Sequence, residues 1–409
     1  MATTADDTAL RARVAVAALF FGNAFVFANV VPRFPEIKAG LDLSNAQLGT
    51  AIAAMPLGAL LVGLLASPLI RRFGSARPAV VTLALMGGNV VLIGVVPGFG
   101  ALCAVMFVAG SLDAITDIAM NAHGLRVQRR YGRSILNSFH GVWSIGAVLG
   151  GLAGAGAAQA GLSLTAHLAL TGALTAAAAV VSLPFLLPGA EDTERTAAGD
   201  GGAGRAGRGA RPVLRVIGFL GLLGLVGAAA ASAEDASASW GSLYLRDELG
   251  ANAFVGGLAF VSLQSAQTVG RLLGDRVVRR LGDRLTARLG GALVTAGMGA
   301  ALLWPSVPGT VVGFGLVGLG VATVIPAVFH AADELPGLWP GAGITVTAFL
   351  LRIGFLLPPP LVGLVADAES IRLGLVAVPL AGLVILLAAG VLEGRAKAAD
   401  VPEAAAAPR

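Results

Sequence analysis

Long runs of apolar residues alternate with short polar or Pro/Gly-rich breaks along almost the whole chain. Several runs, such as Pro78 to Val96, approach the roughly 20 residues that a helix needs to cross a bilayer. Because unpaired backbone groups are costly in lipid, such runs predict transmembrane α-helices. The pattern predicts an all-α membrane protein with twelve spans, near residues 12–31, 46–70, 78–96, 101–122, 138–158, 166–187, 214–239, 252–273, 287–304, 310–330, 341–363 and 373–392.

Composition agrees with a location in the lipid bilayer. Of the 409 residues, 56% are hydrophobic and 12% are charged, whereas a soluble domain carries roughly 25% charged residues. A signal peptide is the alternative interpretation of the first run, but this run is long for such a segment and many further spans follow it. A soluble globular domain is excluded.

The basic residues orient the chain in the membrane. With twelve spans and both termini inside, the external loops hold only Arg33, Lys38, Arg246 and Arg372, and two arginines lie within spans. The remaining Lys and Arg residues fall in segments predicted to be cytoplasmic, which is the positive-inside pattern. We therefore expect a multi-pass inner-membrane protein with cytoplasmic termini. The net charge of +5 then needs no nucleic-acid partner.

The chain offers little for enzymatic or metal chemistry. Its single cysteine, Cys103, excludes an internal disulfide and a thiolate metal cluster. No Ser/His/Asp spacing, metal pair or phosphate-binding loop occurs. We predict that the protein is not an enzyme and binds no metal or cofactor.

An internal repeat divides the chain into two similar halves. At an offset of 208 residues, the segment Arg71-Arg72-Phe73-Gly74 matches Arg279-Arg280-Leu281-Gly282, and Gly49 and Gly146 match Gly257 and Gly354. Transporters commonly contain such repeats. We predict an N-terminal half at 1–187, a flexible cytoplasmic linker at 188–212, a C-terminal half at 213–392 and a disordered tail at 393–409.

These basic, glycine-ending loops and the two six-helix halves resemble the major facilitator superfamily over nearly the whole chain. Within it, the segment from Asp117 to His123, the following Gly132 to Gly141 and the segment Glu234 to Arg246 are similar to bacterial permeases of the fucose-permease-like branch. Two departures stand out. Ser67 occupies the place of a gate aspartate that the second loop keeps as Asp275, and the first span lacks the carboxylate of fucose permeases.

Ionisable groups inside spans are the main candidates for function, because each costs at least ~2.5 kcal/mol to insert. Asp113, Asp117 and Asn121 recur every four residues, so they share one face of the fourth helix. We expect this face to line a cavity, with Asp113 as the better proton carrier. Interhelical hydrogen bonding without any cavity is the alternative.

Adjacent Glu234 and Asp235 point about 100° apart on a helix, so at most one is expected to face the cavity squarely. Desolvation and mutual repulsion would let one of them gain and lose a proton; we favour Glu234. Trp240 and Tyr244, nearer the outer end of this span, are either cavity gates or interfacial belt residues.

Arg352 lies midway along the eleventh span and stays charged at physiological pH, so it needs a partner. That partner is an intramembrane carboxylate or an anionic group on the substrate, and four such carboxylates favour the first. The polar candidates for lining the substrate cavity are Asn23, Asn29, Asn121, His140, Trp143, Trp240, Gln264 and Arg352.

Opposite charges on equivalent loops predict a cytoplasmic gate. The loop after the fourth span is basic, whereas its counterpart after the tenth carries Asp333 and Glu334. Exposed pairs contribute only ~0.2 to 1 kcal/mol each, which suits a latch that must open. The predicted gate residues are Arg71, Arg72, Asp275, Arg279, Arg280, Asp333 and Glu334.

The resemblance implies secondary transport of a small-molecule substrate by alternating access, with protons as the coupling ion and a monomer as the working unit. The glycines from Gly146 to Gly154 resemble the antiporter motif of the superfamily, although its proline is missing, and they favour proton-coupled efflux. Packing of small residues is the alternative explanation of these glycines. Proton-coupled uptake of a sugar-like solute and a non-transporting receptor or scaffold are the alternative functions.

Overall fold

A computed structural model of the chain describes residues 3–189, 213–335 and 342–392. The predicted tail, and all but the first two residues of the predicted linker, lie outside the described residues. Within the described ranges the chain is helical and contains no strand. The expectation of an all-α membrane protein is therefore confirmed.

Twelve spans can be counted in the described ranges. Ten helices are long and apolar enough to cross a membrane, and Ala76–Leu92 is a shorter apolar helix. One of the ten, Ala253–Leu303, contains two spans because its backbone leaves the helical region at Gly282, where φ is 77°. The helices of the spans in chain order are Thr3–Ala28, Asn45–Val62, Ala76–Leu92, Phe99–Tyr131, Leu136–Gln159, Leu164–Ser182, Val213–Leu243, Ala253–Leu303 (spans 8 and 9), Val307–Val321, Ala342–Leu356 and Ala377–Ala388.

Short helical pieces extend several spans. Three prolines begin the second piece of span 11, where a missing backbone N–H is tolerated because the first turn of a helix has no partner for it. The pieces are the α-helices Phe34–Gly40, Ala66–Phe73, Val324–Asp333, Pro358–Ala368 and Ile371–Gly374, the 3-10 turns Val31–Arg33, Gly63–Leu65, Leu183–Phe185 and Ala389–Leu392, and the π-helical turn Tyr244–Glu248.

An even number of spans brings both ends of the described chain to one side of the molecule. We call this side, which contains Thr3 and Leu392, the terminal face, and the opposite side, which contains the loops after the odd-numbered spans, the distal face. Two equivalent spans that begin at the distal face, spans 2 and 8, start with capping side chains. Ser44 accepts a hydrogen bond from the Gln47 N–H, and Asn252 accepts one from the Val255 N–H, which satisfies orphan donors of the first turn.

The repeat is visible in the backbone. The capping residues Ser44 and Asn252 are 208 positions apart, as are Gly74 and Gly282, whose φ values are 75° and 77°. Only glycine adopts this conformation at no steric cost, so each basic loop ends in the same sharp turn. The protein thus has the two pseudo-symmetric halves expected from its sequence.

Glycines set how closely the spans approach. The glycines of span 5 at 146, 150 and 154 pack against backbone atoms of Phe21, Phe25 and Asn29 in span 1. Gly151, on another side of span 5, meets the ring of Phe260 in span 8. Small-residue packing accordingly accounts for three of these glycines, and the fourth lies where the two halves meet.

Candidate functional site

A cavity of about 450 Å³ lies between the two halves. Its wall is formed by residues of spans 1, 2, 4, 5, 7, 8 and 11, so both halves contribute to it. Among the residues singled out from the sequence, those that line it are Asn23, Asp113, Asp117, Trp143, Glu234, Asp235, Gln264 and Arg352. Four carboxyl groups and one arginine therefore share one cavity, which we call the central cavity.

A chain of hydrogen bonds joins three spans on the N-terminal side of the central cavity. The Asn23 side-chain amide donates to Oδ1 of Asp113 over 2.7 Å. Its oxygen accepts a bond of 2.9 Å from the indole N–H of Trp143. Because Asn23 is only 4% exposed, these two bonds hold Asp113 in a fixed position. The residues predicted separately on spans 1, 4 and 5 thus form one unit.

Asp117 lies one helical turn further along span 4. Asn121 donates to its Oδ1 over 3.0 Å, and Arg352 of span 11 lies close enough for its charge to attract the carboxylate. The side chain of Asp117 is exposed to the cavity space. Arg352 therefore faces a carboxylate of the opposite half.

Glu234 and Asp235 both line the central cavity, although their angular separation led us to expect only one to face it squarely. Arg271 of span 8 lies close enough to attract Glu234, and Ser239 lies near Asp235. One oxygen of each, Oε2 of Glu234 and Oδ2 of Asp235, is buried without a hydrogen-bond partner in the structure. Buried polar atoms without partners are costly, so these oxygens are available to a bound ion or solute.

Four other predicted residues do not belong to the described lining of the central cavity. Asn29 is fully buried and accepts from His167 Nε2 over 2.9 Å. The Asn121 side-chain amide donates its hydrogen bond to Asp117. Trp240 is 0% exposed, so it does not face lipid. His140 lines a second cavity of about 530 Å³ between the halves, nearer the terminal face, and packs its ring edge-on against Phe20.

The two halves are joined at the distal face by polar contacts that the sequence did not reveal. Asp367 accepts hydrogen bonds of 2.8 Å from the backbone N–H groups of Asn45 and Ala46, at the start of span 2. Arg246 pairs with Glu36 at 3.3 Å. Further contacts here are the Lys38–Asp247 ion pair and the bonds from Ser242 to the Pro32 carbonyl and from the Phe254 N–H to Gln159.

A buried arginine supports these contacts between the halves at the distal face, which we call the distal closure. Arg33 is 1% exposed, and it bonds to Glu36 at 2.5 Å and to the Leu162 carbonyl at 2.7 Å. Its third contact is with Nδ1 of His167 at 3.3 Å. The sequence pattern indicates Arg33 only as a loop charge. The nearby Glu36, three residues on, was the signal in the sequence for a local ion pair.

The predicted gate at the terminal face stays a prediction. Arg71 and Arg72 line a surface cavity with other arginines of the N-terminal half, and Asp275 lines the second cavity. Glu334 lies 3.4 Å from His330, one turn back on its own helix. Asp333 and Glu334 are exposed. In the described part of the chain, Glu334 thus has a local contact on its own helix.

A cavity that contains charged side chains and lies between two similar six-helix halves of membrane-spanning helices is the architecture of a membrane transporter. The family profile of the Major Facilitator Superfamily matches residues 16–359. The chain belongs to this superfamily, whose members are transporters and not enzymes. In the described residues no group of three His, Cys, Asp or Glu side chains could hold a metal ion.

Relatives cover most of the chain. It is 29% identical over 376 residues to the membrane protein MosC of Rhizobium meliloti, covering 91% of this chain and 88% of the relative. It is 28% identical to the uncharacterized transporter y4wD of Sinorhizobium fredii, covering 92% and 97%. The nucleoside transporter NupG has a similar structure, with a TM-score of 0.73 at 12% identity, covering 94% and 98%.

A bacterial homologue of the human lysosomal transporter Spinster, in an inward-facing and unoccupied conformation, has a TM-score of 0.72 at 16% identity and covers 95% of this chain and 98% of its own. At such identities the likeness shows the fold. The superfamily that the sequence resembled is confirmed by the family match, and the apolar helices confirm a multi-pass membrane location.

Proposed function

We propose that the protein is a proton-coupled secondary transporter that moves a small solute by alternating access, as a monomer in the inner membrane. One observation carries this proposal: ionisable side chains from both halves line a single cavity that is closed at the distal face. Alternating access needs a site between two bodies that can rock about it. A receptor or scaffold without transport would need no cavity joining Asp113, Glu234 and Arg352.

The orientation follows from the basic residues. Of the loops at the distal face, three carry Arg33, Lys38, Arg246 and Arg372, whereas most Lys and Arg residues belong to the terminal face. The positive-inside rule supports a cytoplasmic terminal face with both termini inside. The closed distal face would then be the outer one, so the structure represents an inward-facing state.

Coupling would use the carboxyl groups of the central cavity. Asp113, fixed by Asn23 and surrounded by protein, is the principal proton site, and Glu234 is the second. Arg352 would act as the counter-charge to Asp117. A carboxyl group that loses its proton in one state and regains it in the other changes which state is favoured.

Export by proton antiport is the direction we favour. The likeness of the span 5 glycines to the superfamily's antiporter motif supports it, while their packing against span 1 does not bear on the direction. Proton-coupled uptake of a polar solute uses the same cavity in the reverse direction. In antiport the proton moves opposite to the solute, whereas in coupled uptake the proton and the solute move in the same direction.

The experiment uses purified protein in liposomes loaded with a pH-sensitive dye. Solutes that raise the melting temperature of the purified protein are added outside, and the internal pH is recorded. We expect the solute to drive protons in the opposite direction. Movement in the same direction would establish uptake instead, and solute entry without any proton movement would overturn proton coupling.

A further inference from the structure

The charges around the central cavity do not balance. Four carboxyl groups line it, whereas the cationic side chain in its described lining is Arg352. Arg352 attracts Asp117, and Arg271, which lines the adjoining second cavity, attracts Glu234. Among the residues that the structure describes, no cation is seen to act on Asp113 or Asp235. A buried carboxylate without a cation is costly in low dielectric, so each needs a proton or a positively charged ligand.

A second observation indicates groups that a ligand beside these carboxyl groups would contact. Gln264 lines the central cavity and is only 9% exposed. Because its side chain lines the cavity, the amide is accessible to a ligand there. The unpartnered oxygens of Glu234 and Asp235 lie in the same wall. This wall therefore presents acceptors and one amide to whatever occupies the cavity.

The remaining wall indicates an organic ligand rather than an inorganic ion. Four phenylalanines line the cavity, and aromatic faces attract cations while also packing against carbon. Described residues supply no cluster of three metal-binding side chains. A volume of about 450 Å³ suits a small molecule. The phenylalanines are Phe27, Phe34, Phe260 and Phe355.

We propose, on the basis of the transport function proposed above, that the substrate is a small organic cation whose ammonium group binds between Glu234 and Asp235 while Gln264 hydrogen-bonds to a second polar group. The ammonium group and a proton then neutralise the same carboxyl group in turn. Such exclusive occupancy exchanges one proton for one monovalent cation without net charge movement. The proposal thus names a substrate class and gives antiport a physical cause.

The test compares amines with neutral molecules of the same shape. Glucosamine is paired with glucose, and 2-phenylethylamine with 2-phenylethanol, within a broader panel of such pairs and of carboxylates. Binding to the purified full-length protein is read as a rise in melting temperature and then titrated. We expect the amine of at least one pair to bind and its neutral partner to bind at least tenfold more weakly.

Variants locate the binding site. Asp235→Asn and Glu234→Gln should each weaken binding of that amine at least tenfold, whereas Glu369→Gln, which changes an exposed distal carboxylate, should leave it unchanged. Stronger binding of neutral or anionic members, a panel in which no amine binds, or binding unaffected by both variants would each overturn the proposal. A neutral solute that exchanges with protons would preserve the transport function while overturning this inference. An amine that binds as expected but is never transported would support the binding site and overturn the transport function.

Discussion

The distal closure predicts that Asp367→Asn shifts the protein away from the state seen here. Asp367 accepts two backbone N–H bonds of 2.8 Å at the start of span 2, where its charge also faces the positive end of the helix. An asparagine has one side-chain oxygen and no charge, so it loses one bond and the charge interaction. Because the site is exposed, we take a cost of about 1 kcal/mol. This corresponds to a roughly fivefold rise in the ratio of distal-open to distal-closed molecules.

Spin labels on the two halves measure this ratio. In a background with Cys103 replaced by serine, labels at Leu162 and Trp304, both exposed near the distal face, report the distance between the halves. We expect the longer distance to gain population in Asp367→Asn. Glu369→Gln is the matched control, as a nearby exposed carboxylate. Equal distance distributions in the parent and in Asp367→Asn would refute the assignment of Asp367 as a closure contact.

Three further predictions concern packing, stability and symmetry. Gly49→Val places a side chain against a backbone carbonyl of span 11, so it should favour the distal-open distance, at a cost of about 1–3 kcal/mol to the closed state. The control Gly88→Val, which has open space around it, should leave the distance distribution unchanged. Equal shifts in the two variants would contradict the packing of Gly49 against span 11. Asn23→Leu leaves two polar partners unsatisfied and should lower stability by about 1–3 kcal/mol; an unchanged melting temperature would show that these bonds contribute nothing. Superposing residues 10–187 on 218–392 should bring six helices into register, and a different helix path in one half would disprove the repeat.

Hydropathy predicted the spans well because crossing a bilayer demands a long apolar helix. Helix ends were predicted less well. The fourth run was expected to end near residue 122, but the helix continues to Tyr131 and ends at Gly132, where φ is 70°. A helix keeps its hydrogen bonds beyond the apolar region, so the loss of hydrophobicity marks the edge of the membrane and not the end of the helix.

The rule that ionisable groups in spans mark a pathway found the charged wall of the central cavity. It could not tell which way the uncharged polar residues point. Apart from its two asparagines, span 1 is apolar on every side from Val14 to Val31, so no charged face reveals its rotation. Asn29 therefore looked equivalent to Asn23, yet it turns towards His167. The cavity phenylalanines were hidden for the same reason.

The polar contacts between the halves were beyond the reach of sequence reasoning because they join residues far apart in the chain. Asp367 and Asn45 are separated by 322 positions. Loop charges such as Arg33 were used only to orient the protein. The repeat did indicate which spans are equivalent, but the meeting of span 2 with span 11 depends on how the two halves pack.

Proton coupling through Asp113 and Arg352 is the central claim, and transport driven by a pH gradient tests it most directly. In liposomes with an identified solute, Asp113→Asn and Arg352→Ala should each abolish gradient-driven transport while the folded protein remains in the membrane. Asp113→Glu, which restores a carboxyl group, should recover part of it, and Glu369→Gln should transport normally. If Asp113→Asn and Arg352→Ala both transport at the parent rate under the gradient, these residues are structural and the coupling mechanism is contradicted.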